Sequence, residues 1–190
     1  PYELPITIAS AAKLEIAAFV EGAVVDKRTA FFNINKATGR KFSLSIEPAP
    51  QYGKGGPAAL VNGIMGSVTR FNDDEWLGWN GKHFEGILDL GRVEEIKKIY
   101  LRFYKAPSSW IYMPSSIQIL VSADRITYKE VAVKNNPDSG QMGVQQHGFS
   151  FDGLKTRYVK IIAANNGIIK SGFPGQGYPA WLFVDEVVVE

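Results

Sequence analysis

The sequence has no cysteine. A disulfide framework and a thiolate metal site are both excluded. Histidine is scarce, with only His83 and His147. They stand in no metal-ligand spacing and beside no nucleophile elbow, so both read as surface or structural groups. Long apolar runs are missing, and nothing is long enough to span a bilayer. The chain opens Pro-Tyr-Glu-Leu-Pro, without the basic and apolar regions of a signal peptide. With no initiator Met, the expectation is an excised fragment, with targeting information, if any, upstream. Charge of one sign is lacking too: 21 Lys and Arg face 19 Asp and Glu, a net of +2. A nucleic-acid-binding surface would be clearly basic, so that class is set aside.

What is present is apolar and aromatic. Of the 190 residues, 45% are hydrophobic and 12% aromatic, enough for a packed core. The length allows one large domain, or one domain with a small partner. Short β-prone runs recur between turn signals, and no amphipathic helix stands out, which points to an all-β, antiparallel β-sandwich. In the segment 10–22, Leu14, Ile16, Ala18 and Val20 alternate at strand period, although its composition would also suit a helix. Residues 35–40 are polar and contain Gly39, so they read as a linker. Lys41 to Ile46 alternates cleanly, with Phe42, Leu44 and Ile46 inward. Residues 47–57 are rich in Gly and Pro and read as loop. Ile99, Leu101 and Phe103 mark a half-buried strand whose other face carries Arg102 and Tyr104. Residues 135–148 read as a long surface loop, and 165–179 as a Gly- and Pro-rich loop bearing Phe173 and Tyr178.

Two acidic pairs, Asp73-Asp74 and Asp185-Glu186, invite a glycosidase reading. Such an enzyme needs two carboxylates facing one cleft, roughly 5–9.5 Å apart. Neighbours on a strand point to opposite faces, so Asp185 and Glu186 cannot form that pair. Asp73-Asp74 lies in a turn-like stretch where acids are usually solvated. The chain is also short for a sugar-hydrolysing barrel of about 250 residues. No catalytic residue is expected within it.

The stretch from Ala58 to Gly91 organises the rest. It runs Ala-Ala-Leu-Val-Asn-Gly-Ile-Met-Gly-Ser, then Asp73-Asp74-Glu75-Trp76-Leu77-Gly78-Trp79, then Phe84-Glu85-Gly86-Ile87-Leu88-Asp89-Leu90-Gly91. With Trp110-Ile111-Tyr112-Met113-Pro114, Ile119-Leu120-Val121-Ser122-Ala123-Asp124 and Ala180-Trp181-Leu182-Phe183-Val184-Asp185-Glu186, it resembles the discoidin module, or coagulation factor 5/8 type C domain. The version at the C-terminal end of bacterial chitobiases (β-N-acetylhexosaminidases) is the nearest likeness. The resemblance implies a galactose-binding-domain-like jelly roll over residues 41–190. Residues 1–40 resemble part of the small Ig- or fibronectin-like β segment that precedes it in such enzymes. It also implies a non-catalytic module that binds GlcNAc- or galactose-type glycans, joined to an upstream catalytic domain in the same chain. A spacer packing on that domain without sugar binding is the alternative. The implied location is periplasmic, cell-surface or secreted.

Two sets of site residues follow. Such modules commonly hold a structural calcium ion between the first turn and the final acid. Carried over, Asn62 stands at the family's Asp position, Ser67 supplies a hydroxyl or carbonyl oxygen, and Glu186 supplies the carboxylate. Asn62 departs from the pattern, because an amide oxygen can ligate but brings no charge. A plain Asn-Gly turn and a surface acid remain the other reading. A sugar site wants exposed aromatic rings with polar partners. Trp79 and Trp110 lie in predicted loops, and Arg102 and Tyr104 point outward from their strand. With Tyr178 they form the expected glycan-binding set. Core packing is the default for Trp76 and Trp181.

Overall fold

The computed structural model describes residues 3–190. Strands β1 (Ala12–Val20) and β2 (Ala23–Phe32) form a two-stranded antiparallel sheet of their own. Glu21 and Gly22, with φ of 48° and 81°, make the tight turn between them. The alternation of Leu14, Ile16, Ala18 and Val20 is thus a strand signal, yet nearly all of both strands is exposed. The ribbon reaches the rest of the chain through a bridge from Phe32 to Ile64 and a hydrogen bond from Asn33 N to Gly63 O of 2.7 Å.

The remainder is an antiparallel sandwich. Its strands are β3 (Lys41–Leu44), β4 (Leu77–Asn80), β5 (Phe84–Lys105), β6 (Ser116–Ser122), β7 (Lys129–Asn135), β8 (Gly143–Ala164) and β9 (Trp181–Val189), with one short helix, α1 (Gly56–Ala59). β5 and β8 are each 22 residues long and serve both layers. The first half of β5 pairs with β3 and with the second half of β8, which continues to β6 and β7. The second half of β5 pairs with the first half of β8 and with β9, which continues to β4. The register shifts between Asp89 and Glu94, where Gly91 takes φ of 82°. Gly153, with φ of 66°, serves the same bend on β8. Few other residues tolerate that backbone, so these glycines let one strand turn from layer to layer.

Phe84, Leu88 and Leu90 share one face of β5 and are fully buried, as their alternation requires. Gly86 shares that face; a Cβ there would collide with the Phe42 ring. Glu85 and Asp89 on the other face pair with Lys160 (2.6 Å) and Arg157 (2.8 Å). The sequence reading of 135–148 as a long loop is corrected: β8 begins at Gly143, and Gln145 and His147 turn inward. Polar side chains there hid an alternation carried by Gln145, His147 and Phe149. Among the described residues no helix is long and apolar enough to cross a membrane.

Candidate functional site

The turn at residues 62–67 and strand β9 make a buried acidic nest. Gly63 N donates to Glu186 Oε1 (3.1 Å), Gly66 N to Asp185 Oδ2 (2.9 Å) and Ser67 N to Asp73 Oδ2 (2.7 Å). Arg102 reaches in from β5. Its Nη1 lies 2.6 Å from Asp185 Oδ2 and its Nη2 donates to Gly66 O at 3.3 Å. The first is a charge contact rather than an aligned hydrogen bond, since Nη1 finds no acceptor in line. The guanidinium also lies 5.6 Å from the Trp76 ring. Burial pushes Asp185 up to about 7, against the pull of Arg102. Burial, and then the neighbouring Asp185, push Glu186 up to about 9. Among the described residues, Glu186 Oε2 is buried without a partner.

That orphaned oxygen is what a hard cation would seek, and the other expected ligands already take part in hydrogen bonds. Asn62 Oδ1 accepts from Ile64 N (2.7 Å), and its Nδ2, a donor, faces Glu75 Oε2 (2.7 Å). An aspartate would have offered a second oxygen there. Ser67 Oγ is paired with Thr69 Oγ1 (3.2 Å), and Ser67 O accepts from Trp76 Nε1 (3.0 Å). Gly66 O is engaged by Arg102. Among the described residues no group of three or more His, Cys, Asp or Glu is placed to hold a metal ion. The expected calcium set Asn62, Ser67 and Glu186 thus meets in one nest, where Glu186 keeps a free buried oxygen while Asn62 Oδ1 and Ser67 Oγ hold hydrogen bonds.

Three residues of the expected glycan-binding set are corrected. Trp79 is fully buried in β4, its Nε1 donating to Ile46 O (2.8 Å) and its ring 5.1 Å from Phe84. Arg102 belongs to the acidic nest. Tyr104 is 7% exposed, edge-on to Trp76 (5.3 Å) and Phe71 (5.7 Å). The outward face of β5 is not solvated, because the stretch 62–76 folds across it. The aromatics of that stretch and of β9 close a second apolar cluster over Tyr104. A strand's own alternation cannot show such a cover.

Trp110 and Tyr178 do come together, at one rim of the sandwich. Their rings stack with centroids 4.9 Å apart and planes 17° from parallel. Trp110 is 37% exposed and Tyr178 58%. A short 3-10 turn over Pro107–Ser109 ends at Trp110, which takes φ of 63°. A bulky side chain in that left-handed region is uncommon and is held by its surroundings. Backbone bonds Trp181 N to Trp110 O (2.8 Å) and Tyr112 N to Trp181 O (3.0 Å) supply the hold. Gly175 approaches the Trp110 ring so closely that a Cβ would overlap it.

Beside the pair lies a cleft of about 200 Å³, lined by Tyr112, Asn166, Ile168, Lys170 and Phe173 among others. Tyr112 Oη donates to Pro174 O (2.8 Å), and Asn166 Nδ2 to Met113 O (2.6 Å), which leaves the Asn166 amide oxygen available. Tyr112, Asn166, Lys170 and Phe173 were missing from the expected set. The signal available for them was the aromatic and amide content of two loops, one with Pro107 and Pro114 and the other rich in Gly and Pro.

A family model for the F5/8 type C domain matches residues 42–172, well over half of the chain. No curated protein matches by sequence. Among solved structures, a fucose-binding module of Streptococcus pneumoniae is similar, with 18% identity, 90% of this chain and 98% of that chain covered, and a TM-score of 0.55. Chitosan-binding module 1 of a chitosanase/glucanase from Paenibacillus sp. IK-5 shows 18% identity, coverage of 83% and 99%, and a TM-score of 0.52. The lectin domain of lectinolysin, complexed with Lewis B antigen, shows 18% identity, coverage of 83% and 96%, and a TM-score of 0.53. At these identities the likeness is one of fold.

Proposed function

Because the chain belongs to the F5/8 type C domain family, we propose that it is a non-catalytic carbohydrate-binding module. The carrying observation is the Trp110–Tyr178 stack, exposed beside the Tyr112–Phe173 cleft. A sugar's C–H face packs on such rings while amide and hydroxyl groups take its hydroxyls. The names of the similar structures, modules for fucose and chitosan and a lectin domain, support the same class. At about 200 Å³ the cleft falls below the usual range of about 300–1,000 Å³ for small-molecule sites, so it suits one sugar ring with the rest of the glycan outside. The ligands in this reading are GlcNAc- or galactose-type glycans. The parent is a glycoside hydrolase of the chitobiase type, working at the cell surface, in the periplasm or outside the cell. Weak binding in a tethered module keeps the catalytic domain at high effective concentration near its polymer.

Titration with GlcNAc and galactose oligomers is expected to give weak, saturable binding that Tyr178→Ala reduces at least ten-fold. A folded sample silent toward every oligomer overturns the reading. The β1–β2 ribbon favours a second role, packing on a neighbouring domain of the parent. Ile16, Phe19, Val20, Val25 and Phe31 are each more than half exposed there. Loss of melting temperature in a parent enzyme truncated before this segment would support that role.

A further inference from the structure

We infer that the rim cleft selects glycans carrying an anionic group, a carboxylate or a sulfate ester, on the ring it holds. This rests on the carbohydrate-binding reading and sharpens it. Three segments build the rim: 80–83, 106–115 and 165–180. Backbone and side-chain bonds tie them together, from Gly81 N to Ala180 O (2.8 Å), from Asn165 N to His83 Nδ1 (2.9 Å) and from Asn166 Nδ2 to Met113 O (2.6 Å). None of the chain's 19 acidic residues falls in these segments, whereas Lys82 and Lys170 do. Lys170 lines the cleft itself. Among the described residues it has no ion-pair partner, whereas nearby in sequence to the rim Lys105 is neutralised by Asp138 at 2.6 Å.

An unpaired ammonium beside aromatic walls is a point-charge donor for an anion. The cleft's other polar groups, the Asn166 amide oxygen and the Tyr112 hydroxyl oxygen, which can still accept while its proton goes to Pro174 O, suit sugar hydroxyls. A polycationic glycan such as a deacetylated amino sugar would need carboxylates, and the rim has none. The same donors serve a uronic acid and a sulfated sugar, so the shared feature is the negative charge.

The test is titration of the full chain with four probes: GlcNAc, GlcNAc 6-sulfate, galactose and galacturonic acid, each as the free sugar and as a short oligomer. At least one charged probe is expected to bind roughly five- to ten-fold tighter than its neutral parent, the size of one charge-assisted hydrogen bond at a half-open site. The sulfate and uronate arms tell the two sources apart. The preference should shrink as salt rises, disappear in Lys170→Met and persist in Lys170→Arg. Equal binding of charged and neutral probes overturns the anion preference and leaves the carbohydrate reading standing. A preference that survives Lys170→Met overturns the role of Lys170. Silence toward all probes overturns both readings.

Discussion

The start and the middle of strand β9 make opposite use of the same kinds of residue. At Asp185 and Glu186 the chain buries two carboxylates together and brings Arg102 to them. Four residues before Asp185, where Trp181 meets Trp110, the loops hold aromatic rings open to solvent and contain no acid at all. The nest spends charge on holding a turn to a strand. The rim keeps its charge, on Lys170, free for something else. Charge here reports function only when its exposure and its partner are known.

Breaking the nest should have the largest effect. Arg102→Met leaves Asp185 without its partner in a dry site and is expected to cost about 3–5 kcal/mol, read by denaturant unfolding. Tyr178→Ala at the rim, an exposed ring, is expected to change the same measurement by less than about 1 kcal/mol while removing glycan binding. Equal costs at the two sites would erase the contrast.

The second effect concerns pH. Asp185 stands at about 7 against an ordinary 3.8, and Glu186 at about 9 against 4.5. Between those limits the folded chain holds more protons than the unfolded one, so stability falls as pH rises. Melting temperature should therefore decline from pH 6 to pH 9. Glu186→Gln retains an acceptor for Gly63 N and removes the ionisable group, so it should flatten that decline. An identical slope in the variant would place the titration elsewhere.

The smallest expected effect is that of calcium. With Asn62, Ser67 and Gly66 oxygens already engaged, millimolar calcium or a chelator should leave the melting temperature unchanged. A rise with calcium would show that Glu186 Oε2 recruits an ion by rearranging the turn.

Much of the architecture was legible in the sequence, because its cause is local. Phe84, Leu88 and Leu90 alternate along β5, and the ambiguous Leu14–Val20 run follows strand period. The bends that let β5 and β8 serve both layers were not legible, since Gly91 and Gly153 look like ordinary turn residues. The site divides the same way. Trp110 and Tyr178 sit in loops that composition marks as exposed. Arg102 and Tyr104 failed as surface residues because the cover over them comes from residues some 30 or more positions away. Trp79 failed because a strand of four residues, two of them Gly78 and Asn80, carries too short a pattern to be told from a loop.

The β1–β2 ribbon has one more consequence. Among the described residues each of its strands has a neighbour strand on one side only, and apart from the Phe32–Ile64 bridge their outer edges leave backbone donors and acceptors unpaired within the sheet. A free edge of this kind, flanked by apolar side chains, is a template on which another copy can extend the sheet. Association of copies in concentrated stocks is therefore expected to run through this ribbon. Charged or proline substitutions along its edges are the natural remedy.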